Sequence, residues 1–277
     1  TALPPTRSPE RTVTDSPADA LAAAATAETV LLALDFDGTL APFTEDPADS
    51  RPLPAARDAL DTLAGLPRTT VAIISGRPLE FLRTVVDPRR RMVLSGSHGA
   101  EVDLSAAPGS GADTEIELTE DQLALLDRAI DATYGFVQRY PGSRAELKPA
   151  GVAFHTRPIE DPDTARRALD EMTEAYAAMP GLRLTPGQQV IECSVLSATK
   201  GDGLTAIRWA VHPQVTVFAG DDDTDEDAMA ILGPHDVGIK VGTKDSSAPW
   251  RVADPDELTR LLTEFARQRA RAVTSMN

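Results

Sequence analysis

The sequence predicts an α/β fold in which a doubly wound parallel sheet forms the core and a smaller α+β cap domain is inserted into it. Two observations support this prediction. Short apolar runs that end in polar residues alternate with helix-like segments, as in parallel sheets covered by helices on both faces. Between residues 103 and 196 the pattern changes to a helix followed by two short strands, a unit that occurs about twice. This change is typical of an insertion that folds around its own core.

These patterns divide the chain into three parts. Residues 1–28 are predicted to form a flexible tail, rich in proline, serine and threonine, and an N-terminal helix. Residues 29–102 and 197–272 are predicted to form the core domain, and residues 103–196 the inserted cap. Doubly wound sheets bind ligands at the carboxyl ends of their strands, so the site is expected there.

Each predicted element follows from its local pattern. The core strands are short continuous apolar runs, which suit strands that are buried on both faces. These runs are residues 29–34, 69–74, 215–219 and 237–241. The core helices are predicted near residues 54–66, 78–86, 199–210, 224–232 and 255–271. In the cap, helices are predicted near residues 119–138 and 163–178, each followed by two short strands.

Composition and charge narrow the possible partners. The net charge of −16 disfavours nucleic acids and anionic membrane surfaces, which the long-range field would repel. No apolar run approaches the roughly 18 to 20 residues that span a bilayer, and no secretory signal pattern is visible. Cys193, the single cysteine, is expected to be buried and structural, and it forms no zinc-ligand spacing with the four histidines. We therefore expect a cytoplasmic monomer in which any metal is held by oxygen.

A pair of carboxylates follows the first predicted core strand. Asp35 and Asp37 stand two residues apart and are followed by Gly38 and Thr39, so one turn presents two carboxylates, a hydroxyl and backbone amides. In phosphoryl transfer, one carboxylate can attack phosphorus to give an acyl phosphate. A second can protonate the leaving oxygen and later activate water. A polar loop that only caps the strand explains the pair alone about as well.

A second acidic cluster follows the predicted strand at residues 215–219. Six of the seven residues from 221 to 227 are acidic. Such a run is usually a solvated surface, but carboxylates crowded at the end of a buried strand repel one another unless a cation compensates them. An EF-hand calcium loop fits poorly, because Glu226 stands where that loop needs glycine and Leu232 where it needs its last carboxylate. Magnesium bound by a few carboxylates and substrate phosphate fits better.

Two further segments could bind phosphate. Ser75, Gly76 and Arg77 end a predicted strand, where a hydroxyl and a tight glycine turn can receive phosphate oxygens. An ordinary turn is the alternative. Lys200 opens a predicted helix, where the helix dipole disfavours a cation unless an anion lies nearby. Lys200 is therefore a candidate for neutralising charge on a transferring phosphoryl group, although a lone lysine is normally a surface residue.

Together these segments resemble the four ordered motifs of the haloacid dehalogenase superfamily of phosphatases, whose core is Rossmann-type. The resemblance implies a nucleophile, Asp35, and a general acid and base, Asp37, with Lys200 as a third catalytic residue. It implies the phosphate-binding residues Gly38, Ser75, Gly76 and Lys200. It also implies Mg²⁺ as the cofactor, held by Asp35, the Asp37 carbonyl and Asp221, with Asp222 and Asp225 alongside.

Finer features resemble one branch of that superfamily, the trehalose-6-phosphate phosphatases. The segments that carry this resemblance are residues 34–42, 74–77, 96–101 and 220–229, of which the last is the most specific. In such enzymes the cap recognises the sugar. The resemblance therefore predicts substrate-binding residues in the core, Arg77 and His98, and others in the cap.

Period-two alternation identifies the cap candidates. Side chains two apart on a strand share one face of the sheet, so one polar face could hold five side chains. These are Glu146, Lys148, His155, Arg157 and Glu192. Carboxylates and cations at fixed positions suit a polyhydroxylated sugar phosphate, because hydroxyl groups need both acceptors and donors. The alternative is a face that only meets solvent.

The sequence predicts Mg²⁺-dependent hydrolysis of trehalose 6-phosphate through an aspartyl-phosphate intermediate. Thr156 and Thr199 depart from the family pattern, which has an aromatic residue and an asparagine there. Another capped phosphatase, acting on sucrose phosphate, a mannosyl-glycerate phosphate or a hexose phosphate, is therefore an alternative. A phosphomutase and a non-catalytic sensor of a sugar phosphate are the remaining ones, although a sensor would be free to lose the acidic residues and the lysine present here.

Overall fold

The structure, a computed structural model, describes residues 16–44, 46–108, 113–114 and 118–276. The predicted tail, residues 1–15, lies outside the described residues. The strands are β1 Val30–Leu34, β2 Thr69–Ile74, β3 Val93–Gly96, β4 Glu101–Asp103, β5 Asp113–Thr114, β6 Arg144–Lys148, β7 Gly151–His155, β8 Arg183–Gly187, β9 Val190–Ser194, β10 Val215–Gly220, β11 Val237–Val241 and β12 Trp250–Val252. The helices are α1 Pro17–Ala25, α2 Pro54–Leu63, α3 Leu79–Phe81, α4 Glu120–Arg139, α5 Pro162–Ala177, α6 Lys200–Val211, α7 Glu226–Met229 and α8 Pro255–Ser275.

An eight-stranded sheet forms the core, in the order β12-β11-β10-β1-β2-β3-β4-β5. The strands from β12 to β3 run parallel, and β4 and β5 add two antiparallel strands at one edge. Side chains alternate between two apolar layers: Leu32 and Leu34 pack in the layer of α1, α2 and α8, whereas Leu31 and Ala33 pack in the layer of α6 and α7. The predicted α/β class with a mostly parallel sheet is confirmed.

The register of the core strands brings three chain segments together. Leu34 of β1 pairs with Ala219 of β10 on one side and with Ile73 of β2 on the other. The residues that follow these strands therefore lie side by side at one edge of the sheet. They include Asp35, Ser75 and Asp221.

A second, antiparallel sheet has the order β6-β7-β9-β8. One of its faces packs on α4 and α5, where Phe154 and the buried Cys193 contact Met172 and Tyr176. The opposite face carries the cross-strand row Glu146, Ala153 and Glu192. Because the helices cover only one face, the other is available to face the core.

The sequence prediction missed or misplaced several elements. Strands β3, β4, β5 and β12 were not predicted, because each has only two to four residues and no long apolar run. The helix predicted at residues 78–86 is α3 followed by a π-helical turn, and the one predicted at residues 224–232 is a 3₁₀ turn followed by the shorter α7.

The pairing of β5 bears on the domain boundary. Because β5 continues the core sheet, we propose that the inserted cap begins after Thr114 rather than at residue 103. In the part of the chain that the structure describes, no helix combines the length and apolarity needed to cross a bilayer.

Candidate active site

A cavity of about 260 Å³ lies between the carboxyl ends of the core strands and the polar face of the cap sheet. Most of the predicted site residues line it. They are Asp35, Asp37, Ser75, Gly76, Arg77, His98, Glu146, Lys148, His155, Arg157, Glu192, Lys200, Asp221 and Asp222. The other two, Gly38 and Asp225, are not part of the lining but contact residues that are. The fold therefore brings together residues that lie far apart in the sequence.

Asp35 and Lys200 form a buried ion pair at the base of the cavity. The Lys200 Nζ donates hydrogen bonds of 2.8 Å to Asp35 Oδ1 and to Asp225 Oδ1. Asp35 is held at the end of β1, where its N–H donates to the Ala219 carbonyl at 3.0 Å. Lys200 is the first residue of α6, which Thr199 caps through its side chain. The cation predicted at this helix start therefore has two anionic partners.

Burial shifts the pKa values of this group. Desolvation raises the pKa of Asp35 to about 7, although the charge of Lys200 opposes the shift. Burial alone would lower the pKa of Lys200, but the charges of Asp225 and Asp35 outweigh it and raise that pKa well above its ordinary value. Lys200 is therefore a permanent cation beside the carboxylate of Asp35.

Three carboxylates, those of Asp35, Asp221 and Asp225, could hold a metal ion, because they offer oxygen atoms within 4.8 Å of one another. Burial, followed by the charges of Asp222 and Asp225, raises the pKa of Asp221 to about 7. Gly38 permits this closeness, since a Cβ there would lie 2.4 Å from Asp221 Oδ2 and its φ is +79°. An all-oxygen donor set whose negative charges repel one another fits Mg²⁺.

Asp222, which the resemblance also placed alongside the metal, lies differently. Its Oδ1 accepts hydrogen bonds from the Thr224 N–H at 2.9 Å, from the Thr224 hydroxyl at 2.7 Å and from the Asp225 N–H at 3.2 Å. It lies 3.7 Å from Lys200 Nζ. This carboxylate caps the 3₁₀ turn of the acidic loop, outside the group of three that could hold the ion.

The Asp37 side chain points towards the β2 loop rather than towards the three carboxylates. Arg77 donates to it twice, from Nε to Oδ2 at 2.6 Å and from Nη2 to Oδ1 at 2.8 Å. The Ser50 hydroxyl donates to Oδ1 at 2.9 Å. Asp37 still lines the cavity, two residues from Asp35.

The loop after β2 and the loop after β3 are interlocked beside Asp35. The Ser75 Oγ accepts a hydrogen bond from the Arg77 N–H at 3.2 Å, and His98 donates its N–H to the Ser75 carbonyl at 2.9 Å. A Cβ on Gly76 would lie 2.5 Å from His98 Nε2, so a larger residue there would displace the imidazole. His98 itself has a left-handed backbone, with φ +57°. This close packing holds the imidazole against the Ser75 turn.

The cap supplies a network of charged side chains to the same cavity. Lys148 donates to Glu192, and His155 Nε2 lies 2.8 Å from Glu146 Oε2. Burial alone would raise the pKa of Glu192, but the nearby His98 imidazole and the charge of Lys148 lower it to about 2. The common face predicted from strand alternation is thus observed, and it faces the core rather than solvent.

Two contacts tie the cap to the core across the cavity. His98 Nε2 lies 3.7 Å from Glu192 Oε1, and Arg157 Nη1 donates to the Thr44 carbonyl at 3.4 Å. The cavity is therefore closed in part by direct cap–core contacts.

Sequence reasoning missed some residues of the site. Phe43, Pro186 and Val190 line the cavity, and Ser50 holds Asp37. Phe43 and Ser50 lie in the long connection after β1, where no periodic pattern indicates which side chains turn inward. An aromatic residue six positions after Asp37 was the one signal in the sequence, and the structure leaves Phe43 77% exposed.

The raised pKa values of Asp35 and Asp221 predict how the metal stabilises the protein. In the metal-free protein both carboxyls bind protons more tightly when folded than when unfolded, so their contribution to stability falls as the pH rises from about 4 to about 7. Added Mg²⁺ should therefore raise Tm more at about pH 8 than at about pH 5, where protons compete for the same oxygens. At about 100 times its Kd, the ion should add about 2.7 kcal/mol, or about 5 to 10 °C in Tm.

Thermal unfolding with and without Mg²⁺ at the two pH values measures this difference. An Asp221→Asn variant is the control, and it should lose most of the Mg²⁺-dependent shift. An equal shift in Tm at both pH values would contradict the assignment of these carboxylates to the ion.

The chain shares its overall fold with solved structures of sugar phosphatases. The C-terminal domain of Candida albicans trehalose-6-phosphate phosphatase superposes with a TM-score of 0.77 at 22% identity. The superposition covers 90% of this chain and 95% of that domain. It supports the α/β core with an inserted cap.

The chain belongs to the trehalose-phosphatase family, whose sequence model matches residues 33–256. It is 30% identical to a probable trehalose-phosphate phosphatase of rice over 276 residues, which cover 89% of this chain and 72% of that protein. It is 31% identical to a bifunctional trehalose-6-phosphate synthase/phosphatase of Thermoproteus tenax, covering 85% of this chain. The chain spans only 32% of the length of that larger relative.

Proposed function

We propose that this chain hydrolyses trehalose 6-phosphate to trehalose and inorganic phosphate through an aspartyl-phosphate intermediate on Asp35. One observation above all supports the proposal. A single cavity joins the buried Asp35–Lys200 pair at the core strand ends to the charged face of the cap sheet. The core part suits a phosphoryl group and the cap part a polyhydroxylated leaving group.

In the proposed reaction, a carboxylate oxygen of Asp35 attacks phosphorus while the bond to the sugar oxygen breaks. Asp37 gives a proton to that leaving oxygen, and then accepts a proton from the water that hydrolyses the acyl phosphate. Lys200 balances negative charge on the transferring group, and Ser75 with its neighbouring backbone binds the phosphate oxygens. Lys200 already lies 2.8 Å from the attacking residue, so little rearrangement is needed.

Magnesium is the proposed cofactor. Asp35, Asp221 and the Asp37 carbonyl would hold it, with Asp225 next to them and Asp222 shaping the loop. When bound, the ion supplies positive charge that offsets the charge of the phosphoryl oxygens. The crowding of three carboxylates beside one lysine supports this, because one cation does not balance them.

The cap would recognise the sugar. Glu146 and Glu192 can accept hydrogen bonds from hydroxyl groups, while Lys148, His155 and Arg157 can donate them. When closed over the core, the cap would limit bulk water around the reacting groups, which strengthens the electrostatic interactions among them.

A phosphate-release assay on a panel of sugar phosphates tests this proposal. With Mg²⁺ present, the highest kcat/KM is expected for trehalose 6-phosphate, and chelation of the metal should remove the activity. A preference for glucose 6-phosphate, sucrose phosphate or a mannosyl-glycerate phosphate would replace the proposed substrate. An isomerised sugar phosphate would indicate a mutase, and saturable binding without phosphate release would indicate a sensor.

A cap variant separates recognition of the sugar from the chemistry. Lys148→Met should raise KM for trehalose 6-phosphate about tenfold or more. The variant removes a proposed donor to the sugar and leaves Glu192 buried without its ion-pair partner. Turnover of 4-nitrophenyl phosphate, which has no sugar, should change little. Arg128→Met, on the exposed surface of α4, is the matched cap control.

A further inference from the structure

The carboxyl group of Asp37 is clamped from two sides by residues of separate chain segments. Arg77, from the turn after β2, donates to both of its oxygens, at 2.6 Å to Oδ2 and 2.8 Å to Oδ1. Ser50, from the connection between β1 and α2, donates its hydroxyl to Oδ1 at 2.9 Å. Asp37 follows β1, but both of its hydrogen-bond donors lie in loops outside that strand.

Both members of the clamp are themselves fixed. Ser50 is 1% exposed, and its N–H donates to the Pro47 carbonyl at 3.3 Å. The Arg77 guanidinium lies 4.7 Å above the ring of Phe81, which packs edge-on against Phe36 at 5.8 Å. Since Phe36 stands between Asp35 and Asp37, the stack also supports the backbone of that turn. Because both donors are fixed, they can hold the carboxyl group of Asp37 in one orientation.

The clamp occupies the lone pairs of Asp37 unequally. A carboxylate oxygen can accept about two hydrogen bonds. Oδ1 receives two, from Arg77 Nη2 and from Ser50, whereas within the described part of the chain Oδ2 receives one, from Arg77 Nε. The open acceptor position is therefore on Oδ2, and it belongs to a side chain that lines the cavity.

We infer that Arg77 and Ser50 are positioning residues that hold the Asp37 carboxyl group so that Oδ2 carries the proton given to the leaving oxygen. In that step the bond between Asp35 and phosphorus forms, the bond from phosphorus to the sugar oxygen breaks, and its electron pair takes the proton from Oδ2. The Nε–Nη2 edge of Arg77, which could otherwise grip a phosphate with two hydrogen bonds, is committed to Asp37. Arg77 thus acts through Asp37 rather than as the substrate ligand that the sequence suggested. This inference rests on the proposed function.

Two substrates with different leaving groups distinguish a positioning role from a merely structural one, because only a positioning role would change the ratio of their kcat/KM values. A sugar alkoxide needs a proton as it leaves, whereas 4-nitrophenolate leaves without one. Ser50→Ala removes one hydrogen bond and should lower kcat/KM for trehalose 6-phosphate about three- to tenfold, with less than about twofold change for 4-nitrophenyl phosphate. Arg77→Lys keeps the charge but loses the bidentate geometry. It should lower kcat/KM for trehalose 6-phosphate more than Ser50→Ala does, again with little change for 4-nitrophenyl phosphate.

Three further variants complete the experiment. Ser143→Ala, at a buried serine of the cap, should leave the ratio of the two kcat/KM values unchanged. In an Asp37→Asn background, Ser50→Ala should have no further effect on that ratio. If Ser50→Ala and Arg77→Lys lower kcat/KM equally for both substrates, the positioning role is wrong and Arg77 is assigned to phosphate binding. If neither variant lowers kcat/KM for either substrate, the positioning role is also wrong. If Asp37→Asn itself lowers kcat/KM equally for the two substrates, the acid role in the proposed function fails instead.

Discussion

Replacing Asp35 with asparagine should abolish phosphate release, with a fall in kcat of about 10⁴-fold or more, as expected when a covalent nucleophile is lost. Asparagine keeps the shape of the side chain but lacks the anionic oxygen that attacks phosphorus. The 2.8 Å contact with Lys200 places Asp35 Oδ1 beside the cation that would stabilise the transferring group. The measurement is single-turnover release of phosphate from trehalose 6-phosphate at saturating Mg²⁺.

The same variant should remain folded, which makes the result interpretable. Burial raises the pKa of Asp35 to about 7, which means that the folded protein accommodates a neutral side chain there more easily than a charged one. Tm in the absence of metal should therefore fall little. Asp131→Asn, at an exposed position on α4, is the matched control and should keep full activity. Phosphate release by Asp35→Asn within tenfold of the original rate would assign the nucleophile to another residue.

The sequence predicted best those site residues whose positions are determined by the order of the parallel strands alone. Asp35, Ser75 and Asp221 each follow a buried apolar strand, and parallel strands end at one edge of a sheet, so convergence follows from topology. The cap face was predictable for a similar reason, because alternation along β6 and β7 places Glu146 and His155 on the side away from Phe154.

The remaining features depend on three-dimensional packing. Ser50 reaches Asp37 because a 3₁₀ turn at Pro47–Asp49 folds the connection back over the strand end, and no spacing in the sequence encodes that contact. The side chain of Asp222 was assigned to the metal by its neighbours in the motif, whereas the turn it caps directs it to backbone N–H groups. The short edge strands form by pairing with a neighbouring strand, β4 with β3 and β5 with β4, rather than from any apolar run.

Replacing Lys200 with methionine should remove activity and also destabilise the protein. Lys200 is 2% exposed and donates to both Asp35 and Asp225, so the variant would leave buried carboxylates without their cation. Breaking a buried ion pair by removing one partner costs about 3–5 kcal/mol. The free energy of unfolding, measured by urea titration of metal-free protein at neutral pH, should fall by this amount. Arg260→Met is the control, because Arg260 is exposed on α8 and its loss should cost under about 0.5 kcal/mol.

The pH dependence of this loss identifies its cause. Asp35 and Asp221 take up protons below about pH 7, and a neutral carboxyl group needs no cation. The destabilisation by Lys200→Met should therefore be smaller at about pH 5 than at about pH 8, whereas the loss of a packed side chain alone would cost the same at both. Added Mg²⁺ should restore part of the stability at the higher pH, because the ion offsets the same negative charge. A loss that is independent of pH and of Mg²⁺ would mean that Lys200 stabilises the core by packing rather than by balancing the carboxylates around Asp35.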